Sequence, residues 1–110
     1  MTALKDFEKE VIRLLTAGVL HATVTENLLA APQSIEYEYT GCGYFLTLFH
    51  PSLPRERIVC DKPLVLGRSG NIESGFVVFV QDHRLTLECH PYETDVPESF
   101  REQDVRVTET

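Results

Sequence analysis

No stretch of about 18 apolar residues runs through this chain, and no basic segment leads a long apolar run at its start. The expectation is a protein neither membrane-spanning nor exported by a signal peptide. Cysteine is scarce and odd in number: Cys42, Cys60 and Cys89, widely spaced. A secreted scaffold of this size usually carries an even set, so reduced thiols in a cytosol are expected. No Cys-x-x-Cys or His-x-x-x-His spacing occurs, which removes the common zinc signatures. Bases are few, 10 Lys plus Arg against 17 Asp plus Glu, for a net charge of −7. Such a surface repels phosphate backbones, so no nucleic-acid partner is expected, and the lack of a long apolar run leaves no membrane partner expected either. The acidic surface attracts a basic protein instead. Six acids (Glu93, Asp95, Glu98, Glu102, Asp104, Glu109) crowd the last 18 residues against Arg101 and Arg106. Internal repeats and low-complexity segments are lacking too.

What is present suffices for one domain with one core: 110 residues, 43% hydrophobic and 25% charged. Leu4, Phe7, Val11, Leu14 and Leu15 recur at helical spacing, with Lys5, Asp6, Glu8, Lys9, Glu10 and Arg13 opposite. This predicts an amphipathic helix of roughly 14 residues, capped by Thr2 and stopped by Gly18. Thr23-Val24-Thr25-Glu26 fits a capping box for a second, short helix ended by Pro32, with Val24, Leu28 and Ala31 inward. The two helices form a hairpin.

Strands follow. Ile35, Tyr37 and Tyr39 alternate with Glu36, Glu38 and Thr40, giving one wet face. Gly41-Cys42-Gly43 reads as a bulge or bend. In the strand over 44–49, Tyr44, Leu46 and Leu48 share one face, and Phe45 and Phe49 the other. A long connection over 50–63, rich in proline, holds a short extended piece at Ile58-Val59-Cys60. Leu64-Val65-Leu66 is a short strand and 67–71 a turn. Gly75 to Val80 is apolar at every position after the glycine, so both faces need cover. After a tight turn, Leu85, Leu87 and Cys89 alternate with Thr86, Glu88 and His90. Pro91 and Pro97 bracket a loop, and Val105 and Val107 belong to a last edge strand. The fold class is α+β: an N-terminal helical hairpin on one face of a five- or six-stranded, mainly antiparallel sheet.

Candidate chemistry is thin. Cys89 and His90 are strand neighbours and point to opposite faces, so they cannot easily grip one ion. Cys42, flanked by glycines, needs a base such as His50 or His83 to act as a nucleophile. Gly67-Arg68-Ser69-Gly70 is neither a Gly-x-Ser-x-Gly elbow nor a phosphate-binding loop. Glu36 and Glu38 lie about 7 Å apart on one strand face, as paired glycosidase carboxylates do, but so do the side chains of any solvated strand. The aromatic set Tyr37, Tyr39, Tyr44, Phe45 and Phe49 lacks the basic neighbours of a base-stacking platform. No catalytic, cofactor or metal residue is assigned.

The runs Gly43-Tyr44-Phe45, 75–80 and Arg84-Leu85-Thr86-Leu87-Glu88 resemble a diffuse group of small bacterial α+β proteins. Their pattern is Gly-x-Gly-Phe/Tyr-Phe/Leu followed by a Gly-Phe-x-Leu/Val-Phe hairpin. The likeness covers about the middle half of the chain and implies this fold in a bacterial, cytosolic setting. The chain departs at the hairpin turn, where Asp82-His83 replaces Asp-Gly. A type I′ turn needs φ > 0 at both positions, so either the turn type differs or strain is stored there.

Two short helices cannot cover both sides of this sheet. Phe45, Phe49, Val77 and Phe79 on the second face therefore mark an expected interaction surface. Three functional readings follow. One is a non-enzymatic module that binds a protein partner or itself as a homodimer. Another is an immunity-type inhibitor of a basic toxin such as a nuclease. The third is a ligand-binding protein or enzyme with a pocket between the sheet and loop 50–63, where Arg55, Arg57 and Arg68 contact an anion.

Overall fold

The periodic stripe near the start of the chain folds as α1, Asp6–Thr16, in a computed structural model that describes residues 3–110. Phe7, Val11, Ile12 and Leu15 are buried along it. The expected cap Thr2 lies outside the described residues. Extended Lys5 precedes the helix, and its N–H donates to Glu8 Oε1 at 2.9 Å. The helix ends at Thr16, two residues before Gly18, where the carbonyl of Thr16 accepts from the N–H groups of Val19 and Leu20.

The second helix, α2, spans Ala22–Ala30. Its cap is His21, whose Nδ1 accepts from the Thr23 N–H at 3.2 Å. The Thr23–Glu26 capping box does not form, because those residues already lie inside the helix. Thr25 is instead buried, 3.3 Å from Thr16 Oγ1, and Glu26 pairs with Arg13 at the surface. Leu28 and Leu29 turn inward, while Ala31 is exposed.

Among the described residues seven antiparallel strands make one sheet, one or two more than expected. They are β1 (Ser34–Tyr39), β2 (Tyr44–Phe49), β3 (Ile58–Cys60), β4 (Val65–Ser69), β5 (Ile72–Gln81), β6 (Arg84–Pro91) and β7 (Arg106–Glu109). The spatial order is β1-β2-β6-β5-β4-β7, with β3 also beside β5. The glycine pair expected as a bulge is a reversal: Tyr39 pairs with Tyr44, and Thr40–Gly43 is the hairpin loop. Gly43 is required there, because a Cβ would stand 2.1 Å from the Cys89 carbonyl oxygen. Gly43→Ala should therefore cost about 1–3 kcal/mol in urea unfolding. Gly75→Ala, which meets only the ring of His90, should cost clearly less, since a ring can turn aside and a backbone cannot. Equal losses would refute this account of the close approach.

The turn 67–71 is shorter than expected, since Gly67, Arg68 and Ser69 belong to β4. Asp82 and His83 do adopt φ of 53° and 63°, so the type I′ turn is kept without glycine. Loop 50–63 holds it in place. The Asp82 N–H donates to Arg55 O and the His83 N–H to Pro54 O, both at 3.1 Å, and His83 Nδ1 lies 2.7 Å from Leu53 O. Leu53 is buried in the core. The loop thus clamps the hairpin tip.

One sheet face carries Tyr44, Leu46, Leu48, Leu85, Leu87, Cys89, Phe76, Val78 and Val80, all buried. The helices pack there, joined by Val96 and Phe100 from the C-terminal segment. That segment contains a 3-10 turn at Glu98–Glu102, where only a loop was expected. The molecule measures 37 × 32 × 21 Å. Its thin dimension holds one helix layer, about 10 Å across, on one sheet and leaves no room for a third layer.

Candidate functional site

Two places combine unusual residues. The first is a buried polar cluster. Glu8, on the helix face expected to be wet, is fully buried. Arg101 grips it with two bonds, Nε to Oε2 at 2.7 Å and Nη2 to Oε1 at 2.8 Å. The Tyr44 hydroxyl donates to Oε2 and the Lys5 N–H to Oε1. Arg101 Nη2 also donates to Ala3 O at 2.8 Å. Its guanidinium lies 5.1 Å from the Tyr37 ring centre and 5.6 Å from that of Tyr44. Burial pulls the Arg101 pKa down, but the bonded Glu8 carboxylate more than offsets this and leaves it raised. Burial, then the Glu8 charge, pushes the Tyr44 phenol well above its ordinary range. Among the described residues no buried side-chain polar atom lacks a partner. A carboxylate holding four donors forms a clasp between α1, β2 and the 3-10 turn, and two clefts border it at Arg101 without Glu8 in their lining.

One cleft, between the β1–β2 loop and the end of β6, is lined by Cys42, Glu88, Cys89 and His90 among others. Ser69 donates to Gln103 Oε1 at 2.7 Å, an ordinary structural bond. Cys42 precedes β2 and His50 follows it, so six residues of strand, about 20 Å, separate the thiol from that base. His83 is held at the hairpin tip near His50. Among the described residues no group of three or more His, Cys, Asp or Glu could hold a metal ion. Arg55 and Arg57 sit near the tip of the β5–β6 hairpin, whereas Arg68 pairs with Glu73 at the opposite end of β5. The three arginines do not converge. Five clefts of about 190–670 Å³ contain no residue of loop 50–63. Leu53 of that loop is buried in the core.

All three thiols are free, with Cys42 half-exposed and Cys60 and Cys89 buried. Burial pushes Cys89 up to about 12 and raises Cys60. One thiol, Cys42, should therefore react with a disulfide reagent in native protein, and the other two only on unfolding. A raised folded pKa means that the protonated Cys89 is favoured in the fold. Stability should be intact below pH about 9 and decline from there towards about 12. Rapid titration of two native thiols, or a flat alkaline limb, would refute this.

The second place is the sheet face opposite the helices. Strand register puts Glu38, Phe45, Glu88 and Val77 in one row across it, and Glu36, Thr47, Thr86, Phe79 and Val59 in the next. Phe49 and Arg84 follow towards the hairpin tip, with Arg84 5.8 Å from the Phe49 ring centre. Leu66, then Arg68 and Arg106, continue the face towards the other end. The four residues expected as a surface, Phe45, Phe49, Val77 and Phe79, thus share one face and are half-exposed. Val59 beside them is 45% exposed, and Leu64, just before β4, is 48% exposed. Comparison with protein-family models, with curated proteins and with solved structures finds no match to this chain. Its fold is α+β, and among the described residues no helix is long and apolar enough to cross a membrane.

Proposed function

We propose that the protein is a non-enzymatic protein-interaction module that works through the uncovered face of its sheet. One observation carries this reading: Phe45 and Phe49 on β2, and Val77, Phe79 and Val59 on β5 and β3, are partly exposed in two apolar strips either side of β6, on a face that among the described residues no helix or strand covers. Scattered single apolar groups at a surface are ordinary, whereas several large ones gathered with polar side chains on one sheet face are a recurrent mark of an interface. The clasp and the buried thiols serve the fold and leave this face as the free chemistry of the molecule.

The test is affinity capture at low and high salt with wild type and a Val77→Lys/Phe79→Lys variant. Both substitutions place ammonium groups on a solvated face, so the variant should keep its circular dichroism and lose little in thermal midpoint. The expected result is a complex, with itself or with another protein, that forms on wild type and is lost on the variant. Identical behaviour of the two proteins overturns the proposal. A complex that persists in the face variant but dissolves in salt would favour instead a basic partner held by the acidic C-terminal stretch.

A further inference from the structure

We propose that the free edge of β1 is a second docking site, which takes an extended basic segment of another protein as an added antiparallel strand. The site is separate from the sheet face and does not depend on the reading of that face. Strand β1 ends the sheet and pairs with β2 on one side only. Its bonding phase follows from the hairpin. The Thr40 N–H donates to the Gly43 carbonyl. Glu38 and Glu36, two and four residues back, therefore turn their backbone groups to β2 as well. The N–H and C=O groups of Ile35, Tyr37 and Tyr39 face outward. Among the described residues no strand pairs with them and no turn or loop backbone bonds them. An open row of this kind is a template for another strand. Natural edges are often closed by a lysine, a proline or a bulge, and β1 has none of these. Its charged residues are two acids, Glu36 and Glu38.

Charge chooses the occupant. A second copy, paired antiparallel about Tyr37, would set Glu36 of each chain against Glu38 of the other, and like charges directly opposed destabilise a strand pair. Two chains of net charge −7 also repel at a distance. A basic strand reverses both signs. Towards an incoming antiparallel strand, Glu36 and Glu38 hold the non-hydrogen-bonded positions, where opposed side chains come closest. Lys or Arg at those positions meets a carboxylate, and among the described residues neither glutamate has an ion-pair partner. On the helix side, the edge borders a cleft of about 510 Å³ lined by Tyr37, Glu98, Ser99, Arg101 and Glu102. Arg101 is committed to Glu8 and Glu102 to Lys5, whereas Glu98 forms no ion pair among the described residues. The edge is thus flanked by unanswered acid on both faces. Residues of the added strand on the helix side lie against Ile35, Tyr37 and Tyr39, so the fitting partner alternates basic and apolar residues. Main-chain bonds supply its affinity and the alternation supplies its specificity.

Fluorescence anisotropy of a labelled Lys-Val octapeptide, titrated with the full chain, tests this. The peptide should bind wild type, and raising salt from about 0.05 M to about 0.5 M should weaken it. A Glu-Val octapeptide should not bind. Methylating the Val nitrogens of the Lys-Val peptide keeps its charge and removes the N–H groups that face β1, so affinity should fall at least about tenfold. Glu36→Gln/Glu38→Gln should also weaken binding at least about tenfold while keeping native circular dichroism. Ile35→Pro removes one outward donor without touching the β1–β2 ladder, and should weaken binding as well. If that variant loses its native circular dichroism, the methylated peptide carries the test on wild type alone. A methylated peptide that binds like the unmodified one overturns strand addition, and a Glu-Val peptide that binds like the Lys-Val one overturns the choice by charge. No binding of the Lys-Val peptide overturns the site. A wild type that dimerises in sedimentation equilibrium, and that Ile35→Pro makes monomeric, overturns the basic partner as occupant. The Val77→Lys/Phe79→Lys variant should bind the peptide within about threefold of wild type, so failure of this edge and failure of the sheet face are read separately.

Discussion

Arg101→Met should lower the stability of this protein by about 3–5 kcal/mol, and Glu8→Leu by a similar amount, because each leaves an unanswered charge in the interior. Both charged groups are buried: Glu8 is wholly covered and Arg101 is 8% exposed. Taking two such ions out of water costs several kcal/mol each, offset by their mutual attraction and by the bonds from Tyr44 and Lys5. Removing one partner forfeits the offset and keeps the cost. The double variant Glu8→Leu/Arg101→Met removes both charges and should be more stable than either single variant. Two surface pairs provide the contrast. Lys5–Glu102 and Arg13–Glu26 have bond lengths of 3.0 and 2.9 Å, close to those of the clasp, yet are open to water. Truncating either to Ala should cost no more than about 1 kcal/mol. Urea unfolding of the set decides the matter, and strictly additive losses at Glu8 and Arg101 would dissolve the clasp into two unrelated sites.

The same residue explains why part of this architecture could not be read locally. Glu8 follows Phe7 and precedes Val11 in a helix whose other charges are wet, so periodicity assigns it to the solvent side. Its partner lies 93 residues away, beyond the reach of any local pattern. The 3-10 turn was equally hidden. Five residues, Glu98–Glu102, with one aromatic among acids, show no period. Gly41-Cys42-Gly43 misled for another reason: glycine marks bulges and reversals alike, and only the pairing of Tyr39 with Tyr44 separates them. The bare sheet face was legible, because alternation over 44–49 and 75–80 must place large apolar groups on both sides. The three arginines did not converge because loop residues 55 and 57 and strand residue 68 sit near opposite ends of β5, a relation set by strand order alone.

Phe100→Ala should be as damaging as the loss of the clasp, at about 3–5 kcal/mol. Phe100 is fully buried, and its ring meets that of Phe7 edge to face at 6.0 Å, while Phe7 in turn touches Phe76 at 6.3 Å. One side chain of the C-terminal segment thereby plugs the space between α1 and the sheet. Its neighbour Arg101 closes the clasp beside it, so a single turn supplies both the apolar and the ionic anchor of the segment. The cavity left by Ala adds to the lost burial, since the surrounding helix and sheet can collapse only partly. For a chain of this size total stability is roughly 5–15 kcal/mol, so the variant should lose a large fraction of it and melt at least about 10 °C lower. Tyr92, in the same segment but 47% exposed, is the control, and Tyr92→Ala should stay within about 0.5 kcal/mol of wild type. A Phe100→Ala protein that melts like the Tyr92→Ala protein would mean that the C-terminal segment lies on the fold without holding it.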